Sequence, residues 1–276
     1  CMRLVPSEYA SIEAAVKAAT EDDIVLVSPG TYDLIQPLVL ERPLSIVGDG
    51  EAKDIVLRFK GTAGVVAGAP RIRLSKVTVL VEEVGHHQDA LEASAGEVLV
   101  QQARLEGGES GVHALLGAEV KIVETEICNA KIQGIRANMR GIIELRGAFI
   151  HDTVTGIVMS DAGTSMVAHD SEVFNCSMSA ITMENGCSAA LSTSKIHEVA
   201  RNGIAATGKG TALELTDCQI FDCKWYAISI SGGVTGSVEK TSLKRNKLGD
   251  LHKEQPTGLD LKQVASDTHP GENQWL

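Results

Sequence analysis

The chain has 276 residues, of which 36 are acidic and 25 are basic, so its formal net charge at pH 7 is −11. So acidic a chain argues against a nucleic-acid surface or an anionic membrane as its partner. No apolar run reaches transmembrane length, and no basic-then-apolar signal segment opens the chain. Six cysteines without a CxxC motif or a zinc-like Cys/His spacing predict reduced thiols in a cytoplasmic protein.

The first predicted element is a short helix at about residues 11–19. Ser11 is a suitable N-cap, and Ile12, Ala15 and Val16 lie on one apolar stripe. Because this helix precedes the first predicted strand, we expect it to cover the N-terminal end of the fold. A cap of this kind protects strand edges that would otherwise pair with other molecules.

The chain then repeats itself with a period of about 22–24 residues. Each repeat opens with a small residue followed by an aliphatic one: Ala90-Leu91, Gly111-Val112, Gly134-Ile135, Gly156-Ile157, Ala180-Ile181, Gly203-Ile204 and Ala227-Ile228. A second aliphatic column follows in each repeat: Leu105, Ile127, Ile150, Val173, Ile196, Ile220 and Leu243. Short alternating runs with Gly at the breaks predict strands, and a fixed period of this size indicates stacked repeats.

These patterns predict an all-β protein that forms a single right-handed parallel β-helix with a short N-terminal capping α-helix. Each coil would contain about three short strands, and successive coils would lie about 4.8 Å apart. The β-helix is predicted to span residues 1–249. Residues 250–276 are predicted to form a C-terminal cap or a flexible tail, in which Leu259, Leu261 and Val264 could cover the last coil.

Three early segments, at residues 11–16, 23–32 and 43–50, resemble the opening of pectin-lyase-like β-helix proteins. They contain a capping helix, an aspartate leading into a strand, a Pro-Gly-Thr-Tyr turn and a Pro-Leu-x-Ile-x-Gly strand. The resemblance covers about residues 7–246 and implies the fold. It is closest in character to the intracellular β-helix domains of F-box proteins and Shc SH2-domain-binding proteins, which serve protein interaction. Another branch contains pectate lyases, pectin methylesterases, polygalacturonases and alginate epimerases.

The resemblance implies that a catalytic site would lie on the strand that opens with the repeated pair. On this strand Glu92, His113 and Arg136 point outward and stack on three successive coils. An acid, an imidazole and a cation in line can abstract a proton beside a uronate carboxylate or bind an acidic group. The alternative is an exposed ladder of mutually neutralising charges. Asn138 and Glu184, from a second outward row, are further candidate binding residues.

Family motifs argue against several known activities. The strand lacks the neighbouring aspartates of polygalacturonases. Glu92 and Glu184 are four coils apart, roughly 19 Å by the coil spacing, which is too far to share a calcium ion. The segment at residues 88–91 resembles the first of three pectin methylesterase segments, but the other two are absent. No catalytic residue is therefore assigned firmly, and neither a metal ion nor a cofactor is expected.

A turn column after the second aliphatic column is predicted to satisfy backbone donors, coil after coil. Its members are Asn129, Asp152, Asn175, Glu198 and Asp222. The alternative is an acidic stripe that binds a basic partner. Phe174 and Phe221, in the adjacent column, would join such a binding surface if they were exposed.

The sequence thus leaves three functional hypotheses open. The first is a non-catalytic scaffold that presents a strand face to another protein, and the missing catalytic clusters support it. The second is a polysaccharide-active enzyme, namely a uronate lyase, esterase or epimerase, that uses Glu92, His113 and Arg136. The third is a structural protein that self-assembles into a homo-oligomer. Neither nucleic acid nor a membrane is expected as a partner.

Overall fold

The structure is a computed structural model that describes residues 1–82, 85, 87–254 and 257–267. It confirms the predicted class, an all-β parallel β-helix with one short N-terminal α-helix. Residues 255–256 and 268–276 of the predicted C-terminal segment lie outside the described residues. Among the residues that are described, no helix is both long enough and apolar enough to span a bilayer.

The N-terminal half contains β1 (Met2–Val5), α1 (Ile12–Ala18), β2 (Asp23–Val27), β3 (Gly30–Leu34), β4 (Leu38–Leu40), β5 (Leu44–Gly48), a 3₁₀ turn (Ala52–Asp54), β6 (Ile55–Lys60), β7 (Val65–Ala67), β8 (Ile72–Ser75), β9 (Thr78–Glu82), β10 (Leu91–Ala93), β11 (Glu97–Gln101), β12 (Arg104–Gly107), β13 (Ser110–Ala114), β14 (Glu119–Val123), β15 (Glu126–Cys128) and β16 (Gln133–Ala137).

The C-terminal half contains β17 (Ile142–Arg146), β18 (Phe149–Thr153), β19 (Thr155–Met159), β20 (Ser165–His169), β21 (Glu172–Cys176), β22 (Ile181–Glu184), β23 (Ser188–Ser192), β24 (Lys195–Val199), β25 (Ile204–Thr207), β26 (Ala212–Thr216), β27 (Gln219–Cys223), β28 (Tyr226–Ser231), β29 (Thr235–Glu239), β30 (Ser242–Lys244), β31 (Gly249–Lys253), β32 (Gly258–Lys262) and β33 (Ala265–Ser266).

The strands form three parallel sheets that run the length of the described chain. Sheet A has the order β1-β2-β5-β8-β11-β14-β17-β20-β23-β26-β29-β32, and sheet B has β3-β6-β9-β12-β15-β18-β21-β24-β27-β30-β33. Sheet C has β4-β7-β10-β13-β16-β19-β22-β25-β28-β31 and contains the strands that open with the repeated pair. Because each strand pairs with its counterpart one coil away, equivalent side chains stack along the axis.

The interior of the β-helix is the aliphatic stack that the period predicts. The column from Leu105 to Leu243 is at most 3% exposed, and each buried aliphatic side chain contributes about 1.5–3 kcal/mol. Hydroxyl groups link the coils at a buried turn. Thr125 Oγ1 accepts a hydrogen bond from the Ala103 N–H at 3.3 Å, and Ser171 Oγ accepts one from the Ala148 N–H at 3.2 Å.

The N-terminal end is capped as predicted and carries one additional strand. Ser11 Oγ accepts a hydrogen bond from the Ala14 N–H at 3.2 Å, and α1 buries Ile12, Ala15 and Val16. The strand β1 was not predicted. It pairs in parallel with β2 and forms the edge of sheet A.

From residue 249 onward, β31, β32 and β33 add one more strand to each sheet. The repeat is hidden in the sequence because buried Asp250 takes the small-residue position of the repeated pair, across from Ala227. Leu259 is buried, and Leu261 and Val264 pack against the core from partly buried positions. The part of the C-terminal segment that the structure describes therefore continues the β-helix.

The backbone conformation explains why Asn and Asp recur in the turn column. Its five residues have φ between 49° and 57°, in the left-handed region that Asn and Asp tolerate best. Both amide side chains of the column donate to acidic side chains one coil back, and among the described residues no backbone N–H donates to a side chain of this column. Asn129 Nδ2 donates to Glu106 Oε1 at 2.9 Å, and Asn175 Nδ2 donates to Asp152 Oδ1.

Candidate active site

The outer face of sheet C brings together the three charged residues that the sequence singles out. In β10, β13 and β16, Glu92 lies directly across from His113, and His113 lies across from Arg136. The same row continues through Val158, Thr182, Ala205 and Ser229. Glu92, His113 and Arg136 thus occupy consecutive coils. Uncharged side chains occupy the next four positions of the row, and His252 follows them.

A buried aspartate completes the cluster. Asp89 precedes the repeated pair of its coil and is only 6% exposed. Its Oδ2 lies 3.1 Å from His113 Nδ1, and its Oδ1 accepts a hydrogen bond from the Ser110 N–H at 2.8 Å. Burial alone would raise the pKa of Asp89, but the hydrogen bonds with His113 and Ser110 outweigh it and lower the pKa. Asp89 is therefore held as a carboxylate.

His113 lies between this carboxylate and an amide. Its Nε2 is 3.3 Å from Asn138 Oδ1, and Asn138 is itself buried, so a chain from Asp89 through His113 to Asn138 spans three coils. A carboxylate at Nδ1 favours the tautomer with the proton on that nitrogen. Nε2 then serves as the basic atom. The Asn138 amide can offer either its oxygen or its NH₂ group as the protonation of Nε2 changes.

Glu92 and Arg136 flank the imidazole from opposite coils. Within the described residues, neither side chain forms a hydrogen bond or an ion pair with another residue. One Glu92 carboxylate oxygen, one Asp89 oxygen and one His113 nitrogen lie within 4.8 Å of one another. This cluster contains no thiol, and Asp89 bonds to Nδ1 and orients the ring. The arrangement provides a base, a second carboxyl group and an available guanidinium.

The remaining predicted binding residues lie elsewhere. Glu184 ends β22, four strands along sheet C from the strand of Glu92. Phe174 and Phe221 are half-buried on sheet B, where they alternate with His151 and His197. Adjacent ring centroids in this imidazole–phenyl ladder are 4.7, 5.2 and 4.8 Å apart. A binding role for Glu184, Phe174 and Phe221 stays a prediction.

Asp89 is the site residue that the sequence analysis did not assign. The methylesterase-like segment drew attention to it, but the repeat pattern gave no reason to place it against His113. Its side chain reaches the next coil because the chain bends just before β10, where the alternation of the strand does not apply. The signal that could have found it is its place one residue before the repeated pair, where the following coils carry Ser110 and Gln133.

Residues 90–256 match the family described as right handed beta helix region, so the chain belongs to that family. Its fold is similar to that of a pectate lyase, with a TM-score of 0.65 and 10% identity over 93% of this chain and 73% of the other. The fold is also similar to that of the A-module of a mannuronan C-5 epimerase from Azotobacter vinelandii, with a TM-score of 0.59 and 11% identity over 94% of each chain. A tailspike protein of an Escherichia coli bacteriophage is similar as well, with a TM-score of 0.64 and 9% identity over 90% of this chain and 39% of the tailspike chain. These likenesses establish the shared fold.

Proposed function

We propose that the protein is a polysaccharide-active enzyme that transfers a proton at a uronate residue, with His113 as the base. The observation that carries this proposal is the hydrogen-bonded chain from Asp89 through His113 to Asn138, with the guanidinium of Arg136 on the next coil. The printed names of two similar structures, a pectate lyase and a mannuronan epimerase, support uronate polymers as the substrate class.

Each residue has a role that follows from its place. Arg136 pairs with the uronate carboxylate, which makes the neighbouring C5 proton easier to remove. His113 Nε2 takes that proton, and Asp89 stabilises the imidazolium that forms. An epimerase would return a proton to the opposite face of C5. A lyase would instead break the C4–O bond, form a C4=C5 double bond and protonate the leaving oxygen, a role for Glu92, which lies directly across from His113.

The test uses purified protein and a panel of uronate polymers, including polygalacturonate and alginate, with dextran as an uncharged control. Ultraviolet absorbance detects the unsaturated product of elimination, and NMR detects a change of configuration at C5. We expect turnover of at least one uronate polymer and its loss in His113→Gln. Absence of turnover on the whole panel, or equal turnover by His113→Gln, would contradict the proposal.

The scaffold hypothesis makes a different prediction for the same proteins. A non-catalytic β-helix would turn over no polymer but would retain a specific protein from cell extract, and the triple variant Glu92→Ala/His113→Ala/Arg136→Ala would lose it. The protein partner, the cytoplasmic location and self-assembly stay predictions. The enzyme proposal ranks first because a scaffold face gives no reason for a buried carboxylate that orients an imidazole.

A further inference from the structure

A second cluster of chemically reactive side chains lies on the outer face of sheet B, away from the His113 site. Glu126 and Cys128 belong to β15, and His151 on the adjacent strand β18 lies directly across from Cys128. One carboxylate oxygen, the sulfur and one imidazole nitrogen lie within 4.8 Å of one another. Cys128 is in the outward column, yet it is fully buried by its neighbours.

The imidazole of His151 is held in an orientation that suits a metal ligand. Its Nδ1 lies 2.6 Å from Asp152 Oδ2, and its Nε2 lies 3.0 Å from Glu126 Oε1. When Nδ1 carries the proton and donates it to Asp152, Nε2 directs a lone pair at a carboxylate. A cation between Nε2 and Glu126 would relieve that repulsion. A carboxylate on the far nitrogen is the usual partner of a metal-binding histidine.

The donor set indicates the class of cation. Thiolate, imidazole and carboxylate groups together are typical of Zn²⁺, whereas Ca²⁺ and Mg²⁺ prefer oxygen alone. Zinc–ligand bonds of about 2.0–2.3 Å in a tetrahedral site place ligand atoms roughly 3.3–3.8 Å apart, so only small side-chain movements are needed. Burial raises the pKa of Cys128 to about 12, so one proton must leave the thiol when the metal binds.

The neighbouring charges favour a dication. Arg104 forms ion pairs with Glu126 and with Glu106, whose carboxylate is 2.9 Å from Arg104 Nε. Asp152 adds a third carboxylate beside His151. Three carboxylates against one guanidinium leave the cluster with a negative charge that a divalent ion would reduce.

A related arrangement two coils later lacks both the thiol and the hydrogen bond at Nδ1, since the nearest Glu198 oxygen is 3.9 Å from His197 Nδ1, and it supplies an internal comparison. Glu172 Oε1 lies 2.6 Å from His197 Nε2, as Glu126 does from His151, but Phe174 occupies the position of Cys128. His197 is therefore stacked between Phe174 and Phe221 and has no third ligand among the described residues.

We propose that Glu126, Cys128 and His151 form a binding site for a divalent transition-metal ion of the zinc class, with the remaining coordination position taken by water. The ligands come from adjacent coils, and Cys128 and His151 are 23 residues apart in the sequence. The site therefore has no local Cys/His motif. The site is independent of the proposed enzymatic activity on sheet C.

The test is metal binding to the full, tag-free chain. The protein is incubated separately with zinc and with cobalt, dialysed and analysed for bound metal, and the cobalt form is examined for a thiolate-to-metal charge-transfer band. We expect one tightly bound ion per chain and a band that Cys128→Ser abolishes. Cys128→Ser and His151→Gln should weaken binding more than about 100-fold, and Asp152→Asn about 10–100-fold.

Two controls keep the test decisive. His197→Gln alters the matched histidine that lacks a thiol, and Cys1→Ser removes the exposed thiol, so neither should change binding. Circular dichroism establishes that each variant is folded, and zinc should raise the melting temperature of wild type but not of Cys128→Ser. No tight binding to wild type, unchanged binding by folded Cys128→Ser, or loss of binding in Cys1→Ser would overturn the proposal.

Discussion

His113 on sheet C and His197 on sheet B both lie on the outer surface of the same β-helix, and both have a carboxylate partner from another coil. His197 belongs to a ladder in which imidazole and phenyl rings alternate over four coils. His113 lies in a row where an acid, an imidazole and a cation follow one another without repetition. In a solenoid with strict register, repeated side chains stack on their counterparts in neighbouring coils, and a break in repetition brings different chemical groups together.

The largest expected effect separates these two histidines by activity. Replacement of His113 by Gln removes the proposed base and should lower kcat on a uronate polymer by about 10²–10⁴-fold, which is the usual contribution of a positioned acid or base. His197→Gln removes an imidazole of the ladder and should leave kcat unchanged. Steady-state kinetics on both variants measures this difference. Equal losses in the two variants would mean that the activity depends on general integrity of the fold.

Arg136 should have an effect that depends on the charge of the substrate, because its proposed role is to pair with a carboxylate. Arg136→Gln should reduce kcat/KM for a uronate polymer by about 10–100-fold, as expected for loss of a charge-assisted hydrogen bond. The matched control is Arg146→Gln on sheet A, where the guanidinium pairs with Glu144 at the surface. A similar reduction in both variants would assign the effect to overall charge and not to the site.

A substitution in the imidazole–phenyl ladder should lower the free energy of unfolding and leave kcat unchanged. Phe174→Leu removes two stacked ring contacts, each worth about 0.5–1.5 kcal/mol, so the free energy of unfolding should fall by about 1–3 kcal/mol. Phe149→Leu is the control, because this ring is 46% exposed and in no stacked pair among the described residues. Urea unfolding measures both. If kcat fell in Phe174→Leu without loss of stability, the division of roles between the two sheets would be wrong.

The smallest expected effect is on the free energy of unfolding at acid pH. The pKa of Asp89 is lowered in the folded state, so its contribution is fully present above the unfolded pKa of about 3.9 and is lost as pH falls through the folded value. Asp89→Asn removes this contribution at every pH. The difference in unfolding free energy between wild type and the variant should therefore shrink between pH 6 and pH 3. A difference that stays constant over that range would show that the carboxylate is not specifically stabilised.

Much of the fold could be predicted because it follows from spacing. The period, the aliphatic columns and the stacking of Glu92, His113 and Arg136 depend only on alternation within strands and on register between coils. Two elements could not be predicted because the pattern is broken where they occur. Asp250 conceals the last coil by replacing a small residue, and β1 precedes the helix that was expected to start the fold.

The candidate sites were harder to predict than the fold. Asp89 lies at a bend, where side-chain direction does not follow from alternation. The Glu126, Cys128 and His151 cluster combines adjacent coils, so its spacing in sequence equals the general repeat and carries no separate signal. Contacts across the turns of a solenoid depend on side-chain conformations that the repeat alone does not determine.

The measurement that most directly tests the account is exchange of the uronate C5 proton with solvent. Wild type, His113→Gln and His197→Gln would each be incubated with alginate and with polygalacturonate in D₂O, and deuterium at C5 would be followed by NMR, together with any unsaturated product. The account predicts C5 exchange or elimination by wild type and His197→Gln, and neither by His113→Gln. Absence of both reactions in wild type on both polymers, or an unchanged rate in His113→Gln, would contradict the assignment of His113 as the base.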